Sequence, residues 1–283
     1  MILVTSAAGH TGRQIVSYLV AQGLPVAATD INEQVTKLPG IQKSFVGDLT
    51  DLKFQQKVVD AADQIVYIPP LFSPEEALIG KSLVDLAAKK QLQQFVFISV
   101  THPILTTLLQ HVAKRDVEEH LIYEGMTSQL PYTILQPMHY MHNFDVETVM
   151  RTGEYKMFYD IQSPIAYVDP QDVAEVVAKV IEEPAKHDKA TYELVGTQPM
   201  SPVELVDQFN ALTGQQARAE YIPVEDFLDG LNMQDLYLRA GFTQLANSYT
   251  NWGLDGNSNV LRMLLDREPT TFKDYLTREL AKL

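Results

Sequence analysis

The first half of the chain alternates short apolar runs with amphipathic stretches, and this alternation limits the fold more than any other feature. Several of the runs have almost no polar interruption, which is typical of strands covered on both faces. Because helical stretches separate them with short links, the pattern predicts an α/β fold with a doubly wound parallel sheet. The predicted strands are Ile2–Thr5, Val26–Thr29, Ser44–Val46, Gln64–Ile68, Phe95–Ser99 and Tyr132–Gln136. The predicted helices are Gly12–Gln22, Asp51–Ala61, Pro74–Lys90 and Ala113–Tyr123.

The pattern changes after about residue 140, and the remainder is mostly helical. We therefore predict two domains, residues 1–150 and a smaller, mostly helical α/β domain at 151–283, with some exchange of segments. Ser201 followed by Pro202 and Glu204 predicts a capped helix start. Breaks are expected near Gly230, Gly241 and Asn251–Gly256. The other predicted elements are strands at Ile165–Val168 and Thr191–Val195 and a helix at Pro170–Glu182.

Composition excludes several classes of function. The chain has 22 Lys and Arg against 36 Asp and Glu, a net charge of −14, which argues against a nucleic-acid backbone as partner. It has no cysteine, so disulfides, thiolate nucleophiles and cysteine-bound metals are excluded. No apolar stretch approaches membrane-spanning length, and the first strand leads directly into a glycine loop rather than a signal segment. We expect a soluble, cytoplasmic protein with no membrane partner.

A loop of small residues joins the first predicted strand to the first helix. Small side chains at this junction let a pyrophosphate approach the backbone, and the helix start offers unpaired N–H groups. Glycine at position 12 would leave room for that approach. The loop predicts nucleotide binding, although an ordinary tight turn would use the same residues. The residues assigned to cofactor binding here are Ser6, Ala8, Gly9, His10, Thr11 and Gly12.

Two carboxylates follow the next strands. Asp30 ends the second strand, near the usual spacing of about 20 residues from the glycine loop at which an acidic side chain holds the adenosine ribose. Such a carboxylate repels a 2′-phosphate and therefore favours NAD, although Lys37 could still reach one. Asp48 and Leu49 follow the third strand, where they either lie near the adenine or start the next helix, Asp48 serving as its cap.

Over nearly its whole length the chain resembles the NmrA-like group of atypical short-chain dehydrogenase/reductases. The matching motifs are Ser6–Gly12, Gly47–Asp51, Ile68–Pro70, Ser99–Pro103, His111–Lys114, Val117–Glu119, Leu130–Pro137 and Tyr140–Phe144. The resemblance implies a Rossmann-like NAD(P)-binding domain and a smaller C-terminal domain that closes over the cofactor. Some relatives resemble quinone or imine reductases. Others bind the dinucleotide without turning it over and act as redox-sensing regulators through partner proteins.

The chain departs from the family pattern in two places. Ser6 stands where the usual loop has glycine, which restricts the turn. Gln110 stands where active dehydrogenases carry the tyrosine of a Tyr-Lys pair, whereas Lys114 matches the lysine. Because an amide cannot exchange a proton near neutral pH, tyrosine-dependent alcohol oxidation is not expected. A sugar-nucleotide epimerase needs the same tyrosine and is disfavoured.

Lys114 is the first candidate for a functional side chain. Val117 lies on the same helix face and should point inward, whereas Glu118 is expected on the outer face. An inward lysine needs a partner, which a cofactor ribose or carboxamide would supply; otherwise Lys114 extends its ammonium to solvent. Together with Lys114, the catalytic candidates are His111, one helical turn earlier, and His102.

Further candidates lie at the carboxyl ends of the strands, where open α/β sheets bind ligands. Their alternative roles are turn formation and backbone hydrogen bonding. The cofactor candidates are Pro69, Ser99 and Pro137, and the substrate candidates are Leu71, Thr101, His102, His139, Tyr140 and Asn143. We expect no metal site, because His139 and His142 lack a convincing third ligand.

Two hypotheses about function stay open. The first is an NAD(P)H-dependent reductase, leaning to NAD, whose substrate is a small planar acceptor such as a quinone. Such an acceptor takes a hydride without a tyrosine acid, because water or a histidine can deliver the proton. The second is a non-catalytic dinucleotide sensor that acts through a regulatory protein partner.

Overall fold

The computed structural model describes residues 1–283 and contains eleven strands and eleven α-helices. The strands are β1 Ile2–Val4, β2 Val26–Asp30, β3 Lys43–Val46, β4 Gln64–Tyr67, β5 Gln94–Ile98, β6 Tyr132–Pro137, β7 His139–Tyr140, β8 Glu154–Met157, β9 Tyr167–Val168, β10 Ala190–Leu194 and β11 Arg218–Tyr221. The helices are α1 His10–Ala21, α2 Leu52–Asp60, α3 Glu76–Lys90, α4 Leu109–Thr127, α5 Val146–Thr152, α6 Pro170–Glu182, α7 Pro202–Thr213, α8 Val224–Gly230, α9 Leu236–Trp252, α10 Asn259–Leu265 and α11 Phe272–Leu280.

Seven strands form one sheet in the order β10-β6-β5-β4-β1-β2-β3. Strand β1 pairs in parallel with β2 and with β4. The pairing is also parallel between β2 and β3, between β4 and β5, and between β5 and β6. Strands β2 and β3 lie on one side of β1, and the next strand in the chain, β4, lies on its other side. The ends of β1 and β4 therefore flank the point where the strand order reverses, which is where open α/β sheets bind ligands. The structure confirms the predicted doubly wound parallel sheet.

The sheet is apolar on both faces, which explains its uninterrupted sequence runs. Leu3, Ile65 and Phe95 are fully buried on one face, and Val4, Val66 and Val96 are fully buried on the other. Burial of such side chains contributes about 1.5–3 kcal/mol each, and this drives the helices onto both faces. Helix α6 packs against α1 although it comes much later in the chain.

Contacts group the chain into two compact units. The first comprises residues 1–105, 110–137 and 170–192 and contains the large sheet; the second comprises 106–109, 138–169 and 193–283. Within the second unit, β8 pairs with β11 and β7 with β9. The domain boundary at residue 150 that we inferred from the sequence stays a prediction.

Most predicted elements occur within a few residues of their expected bounds. Helix α6 has the predicted range, and Ser201 and Glu204 form the predicted capping box of α7. The predicted break at Gly241 is wrong, because this glycine is buried in the interior of α9. Tertiary packing there outweighs the low intrinsic helix propensity of glycine. None of the helices combines the length and apolar character needed to cross a membrane.

Candidate functional site

The end of β1 is joined to the end of β4 by hydroxyl groups. Thr5 Oγ1 donates to the Ile68 carbonyl and accepts the Ile68 N–H, both at 2.8 Å. Ser6 Oγ donates to the same carbonyl at 2.8 Å. The start of the glycine loop is therefore held against β4 at the point where the strand order reverses.

Ser6 adopts a left-handed backbone conformation, which glycine takes more readily than a residue with a side chain. Its φ is 46°, which is uncommon for a residue with a Cβ. The sequence suggested that serine would restrict the turn. The structure shows that the turn forms and that the hydrogen bond from Ser6 Oγ to Ile68 accompanies the unfavourable backbone conformation.

The two glycines of the loop have different physical requirements. A Cβ on Gly12 would lie 2.2 Å from the Ser6 carbonyl oxygen, so this position accepts no side chain. Backbone packing inside the loop is therefore enough by itself to require glycine at position 12. Gly9 precedes α1 with an extended φ of −74°, and a Cβ there would lie 3.3 Å from the same oxygen.

The start of α1 faces an open cavity of about 410 Å³ lined by Ala8, Gly9, His10 and Arg13. No side chain caps the first N–H groups of the helix, since Gly9 is the N-cap residue. Uncapped N–H groups and the helix dipole favour an anion such as a phosphate. Arg13 adds a positive side chain, and its Nε donates to the Ala8 carbonyl at 2.6 Å.

Asp30 connects β2 to the glycine loop. Its Oδ2 accepts the Ala8 N–H and its Oδ1 accepts the Asn32 N–H, both at 2.9 Å. Each carboxylate oxygen has a second lone pair, so Asp30 can still accept hydrogen bonds from a ribose. Of the two roles left open for Asp48, capping the next helix is excluded, because Asp51 is the N-cap residue of α2. Asp48 instead accepts the Thr50 N–H in a local turn.

Helices α3 and α4 approach closely at Gly80. A Cβ on Gly80 would lie 2.5 Å from Val117 Cγ2, so glycine is what permits this distance. Glu76 lies four residues before Gly80 on α3, and Lys114 lies three residues before Val117 on α4. Both residues are therefore about one helical turn before the close contact. Lys114 Nζ donates to Glu76 Oε1 at 2.6 Å, and both residues are buried. Lys114 thus points inward as predicted, but its partner within the chain is a carboxylate.

This partner was missed in the sequence, where Glu76 looked like an ordinary acidic residue at a helix start. The only available signal was indirect, namely that an inward lysine requires a counter-charge. Burial raises the pKa of Glu76, and the Lys114 ammonium opposes that effect.

Two buried acceptor atoms on these helices have no partner within the chain. They are Oε2 of Glu76 and Oε1 of Gln110, the residue at the tyrosine position. Gln110 precedes Lys114 by one turn and is also buried. Buried acceptors normally find a donor. The hydroxyl and amide donors of a dinucleotide match this requirement, so the residues present fit such a group.

His111 is buried beside Lys114 in a neutral state. Burial lowers the pKa of His111 to about 4, and the nearby Lys114 charge contributes in the same direction. Nδ1 lies 3.0 Å from the His102 carbonyl oxygen, so it carries the proton and leaves a lone pair on Nε2. His102 itself has a left-handed φ of 55°. His111 at neutral pH is therefore a proton acceptor and has no proton to give through Nε2.

Glu118 is not on the outer face of α4, as expected, but is buried. Its Oε1 accepts from Ser99 Oγ at 2.5 Å and from Gln136 Nε2 at 2.9 Å. It thus connects α4 to residues at the ends of β5 and β6. Burial raises the pKa of Glu118, and the two hydrogen bonds oppose that effect. Helical periodicity could not predict that Glu118 is buried, because it does not show that this turn of α4 lies over the ends of β5 and β6.

The other candidates of the first unit also lie at the ends of strands. Thr101 Oγ1 donates to the Gln136 carbonyl at 2.8 Å, and its N–H donates to the Pro137 carbonyl at 3.1 Å. Thr101 is fully buried, so its side chain has a turn-forming role. Pro69 is buried, whereas Leu71 is exposed just beyond β4.

His139, Tyr140 and Asn143 lie together in the second unit. Asn143 Nδ2 is 2.9 Å from His139 Nε2, and the Tyr249 hydroxyl is 3.3 Å from His139 Nδ1. Burial lowers the pKa of His139 to about 4. Tyr140 stacks on His142 with ring centroids 5.0 Å apart. His139 is thus fixed between an amide and a phenol.

One group of side chains has the residue types of a metal site. Ligand atoms of Asp85, His120 and Glu124 lie within 4.8 Å of one another on the outside of α3 and α4. His120 Nε2 and Asp85 Oδ1 are 2.6 Å apart, so a surface hydrogen bond accounts for the grouping.

Known proteins are similar to this chain in sequence and in fold. The sequence profile of the NmrA-like family matches residues 1–276. The photosystem II assembly factor Ycf39 of Synechocystis is 23% identical over 247 residues, which cover 79% of this chain and 71% of Ycf39.

Two solved structures share the fold. An NADPH-dependent quinone oxidoreductase from Escherichia coli, in complex with NADPH, has a TM-score of 0.78 at 20% identity, covering 99% of this chain and 100% of that one. The negative transcriptional regulator NmrA, in complex with NAD, has a TM-score of 0.74 at 18% identity, covering 100% of this chain and 98% of that one.

The loop geometry predicts different effects for alanine at its two glycines. Gly12→Ala should lower the free energy of unfolding by about 1–3 kcal/mol, because the rigid Ser6 carbonyl cannot yield to the new methyl group. Gly9→Ala should change it by less than about 1 kcal/mol, because its backbone conformation suits alanine. Urea unfolding of the two variants measures both values. Equal stability of the Gly12→Ala variant and the unmodified chain would contradict the loop geometry.

The neutral state of His111 predicts a pH dependence of stability. Its folded pKa of about 4 lies below the usual unfolded value near 6.5, so the unfolded chain binds more protons between these pH values. The stability contribution is present above pH about 6.5 and is lost as the pH falls toward 4. Between pH 7.5 and 5 the unmodified chain should lose roughly 2 kcal/mol more than His111→Asn. Parallel losses in urea unfolding at the two pH values would exclude a buried neutral histidine.

Proposed function

Because the chain belongs to the NmrA-like family, we propose that it binds a nicotinamide dinucleotide and reduces a small planar acceptor such as a quinone. The observation that carries this proposal is the uncapped start of α1 beside the glycine loop, at the point where the strand order reverses. A phosphate at this position would meet backbone N–H groups and Arg13.

Different residues at the carboxyl edge of the sheet bind different parts of the dinucleotide. The glycine loop and the start of α1 hold the pyrophosphate. Asp30 and Asp48 receive the adenosine end, where the negative charge of Asp30 favours NAD over NADP. Lys114 and the unpartnered acceptor of Gln110 receive the nicotinamide half. Pro69, Ser99 and Pro137 line the same edge.

Chemistry at this site needs no acid from the Gln110 position. When bound, the reduced nicotinamide supplies a hydride to the acceptor. A quinone accepts it without prior protonation of its oxygen by a tyrosine. Because His111 is neutral, with its proton on Nδ1, the proton that completes the reduction comes from His102 or from water. Within the first unit we assign Leu71 to the acceptor, and the assignment of His139, Tyr140 and Asn143, in the second unit, to the acceptor stays a prediction from the sequence.

A second candidate function is a dinucleotide-dependent regulator that acts through a protein partner. Gln110 favours it, since its amide removes the catalytic proton donor and leaves the binding groups in place. The similarity to NmrA, described as a negative transcriptional regulator, points in the same direction. So does the similarity to an assembly factor.

One experiment distinguishes the two functions. Purified protein is mixed with NADH or NADPH, and nicotinamide absorbance is followed with benzoquinones, naphthoquinones, simple carbonyls and secondary alcohols. A reductase should consume the reduced cofactor with quinones and should not oxidise alcohols. A sensor should show no turnover, while NAD and NADH differ in affinity by calorimetry. If no dinucleotide binds at concentrations on the order of millimolar, both functions are wrong.

Cofactor choice is tested at Asp30. The unmodified chain should bind NADH more tightly than NADPH by roughly 1–3 kcal/mol, the size of a charge-assisted hydrogen bond gained or lost. Asp30→Ala should narrow this difference in calorimetric titrations. Glu33→Ala, which removes an exposed charge from the following turn, is the matched control and should leave it unchanged. A preference of the unmodified chain for NADPH would refute the role of Asp30.

A further inference from the structure

We propose that Glu76 is a positioning residue of the cofactor site: its carboxylate fixes the Lys114 ammonium where the remaining ammonium N–H groups meet the nicotinamide ribose. The inference rests on the proposed dinucleotide binding. It concerns a residue on α3, outside the Tyr-Lys pattern, and so adds a third helix to α1 and α4 in the site.

The first support is the geometry of the pair. Lys114 has three N–H donors, and one of them is directed to Glu76 Oε1 at 2.6 Å. A lysine side chain has many rotamers, and holding one of them costs conformational entropy. A buried carboxylate at this distance selects one rotamer before any ligand arrives. Two donors are then left for hydroxyl oxygens.

The second support is the place of the pair along α4. Gln110, Lys114 and Glu118 follow one another at intervals of four residues, so they form one stripe of the helix. Glu118 marks the position of the stripe, because it contacts Ser99 at the end of β5 and Gln136 at the end of β6. Lys114 lies one turn from this edge of the sheet, where the ligand is expected.

The third support is the rigidity of the supporting helices. Gly80 and Val117 hold α3 and α4 in close contact one turn away. The Tyr67 hydroxyl donates to the Glu76 carbonyl at 3.4 Å, and Tyr67 is fully buried. Glu76 therefore has little freedom to move away from Lys114. Its second oxygen, Oε2, is buried without a partner, as expected of an acceptor beside a ligand site.

A purely structural ion pair between α3 and α4 would have the same geometry, so the test needs a measurement to which only positioning contributes. We suggest calorimetric dissociation constants of NADH between pH 6.5 and 9 for the full chain, Glu76→Gln and Glu76→Asp. Glu119→Gln, which removes an exposed charge from α4, is the matched control.

For Glu76→Gln we expect at least tenfold weaker binding of NADH at pH 7. We also expect the loss to grow with pH, because a buried ammonium without a counter-charge loses its proton more readily. Glu76→Asp should restore most of the affinity. Glu119→Gln should bind as the unmodified chain does. An unchanged affinity for Glu76→Gln, or a loss that is the same at every pH, would overturn the inference.

A double-mutant cycle keeps the inference testable if the lone ammonium prevents folding. Lys114→Gln and the double variant Glu76→Gln/Lys114→Gln carry no uncompensated buried ammonium. If Glu76 acts through Lys114, the two should bind NADH with equal, weakened affinity. A further loss in the double variant would show that Glu76 does not act through the lysine. Failure of the proposed function would be visible separately, since the unmodified chain would then bind no dinucleotide.

Discussion

The hydrogen bonds between the Thr5 side chain and the Ile68 backbone are the contacts on which the candidate site depends. At a reversal of strand order the connections that leave two neighbouring strands run to opposite faces of the sheet, and this leaves a crevice outside the strand ends. Thr5 and Ser6 close the base of this crevice from one side by binding the end of β4. The loop that follows is consequently fixed in a conformation in which Ser6, although not glycine, has a left-handed backbone. After this loop, the uncapped start of α1 faces the open cavity.

Helix α4 brings an unusual number of ionisable groups into a buried environment. Lys114, His111 and Glu118 are all buried on this helix, and Glu76 joins them from α3. Such groups are costly to bury and are retained where they are paired or hydrogen-bonded. Lys114 and Glu76 form an ion pair, and His111 is a neutral tautomer fixed by a carbonyl. The Glu118 carboxylate accepts two side-chain donors. Perturbed groups concentrated at the carboxyl edge of a parallel sheet are typical of functional sites.

The sequence predicted those features that depend on local pattern. Uninterrupted apolar strands, the small residues after β1 and the Ser201 capping box each have a local physical cause, and each was found. The misses share a different cause. Gly241 was read as a break because propensity ignores the packing that holds α9 together. Glu118 was placed in solvent because periodicity cannot show that the middle of α4 lies over hydrogen-bonding groups at the ends of β5 and β6. Glu76 was missed because its partner is 38 residues away.

The late position of β10 and α6 has a consequence for how the first unit forms during synthesis. Strand β10 completes the sheet beside β6, and α6 covers part of α1, yet both come after residue 169. Until they emerge from the ribosome, β6 is an open edge and α1 has an uncovered apolar face. Non-local pairing of this kind folds slowly, and exposed edges invite association between chains. The nascent chain therefore passes through a prolonged stage in which the β6 edge and the apolar face of α1 are exposed. During this stage it depends most on protection by a chaperone.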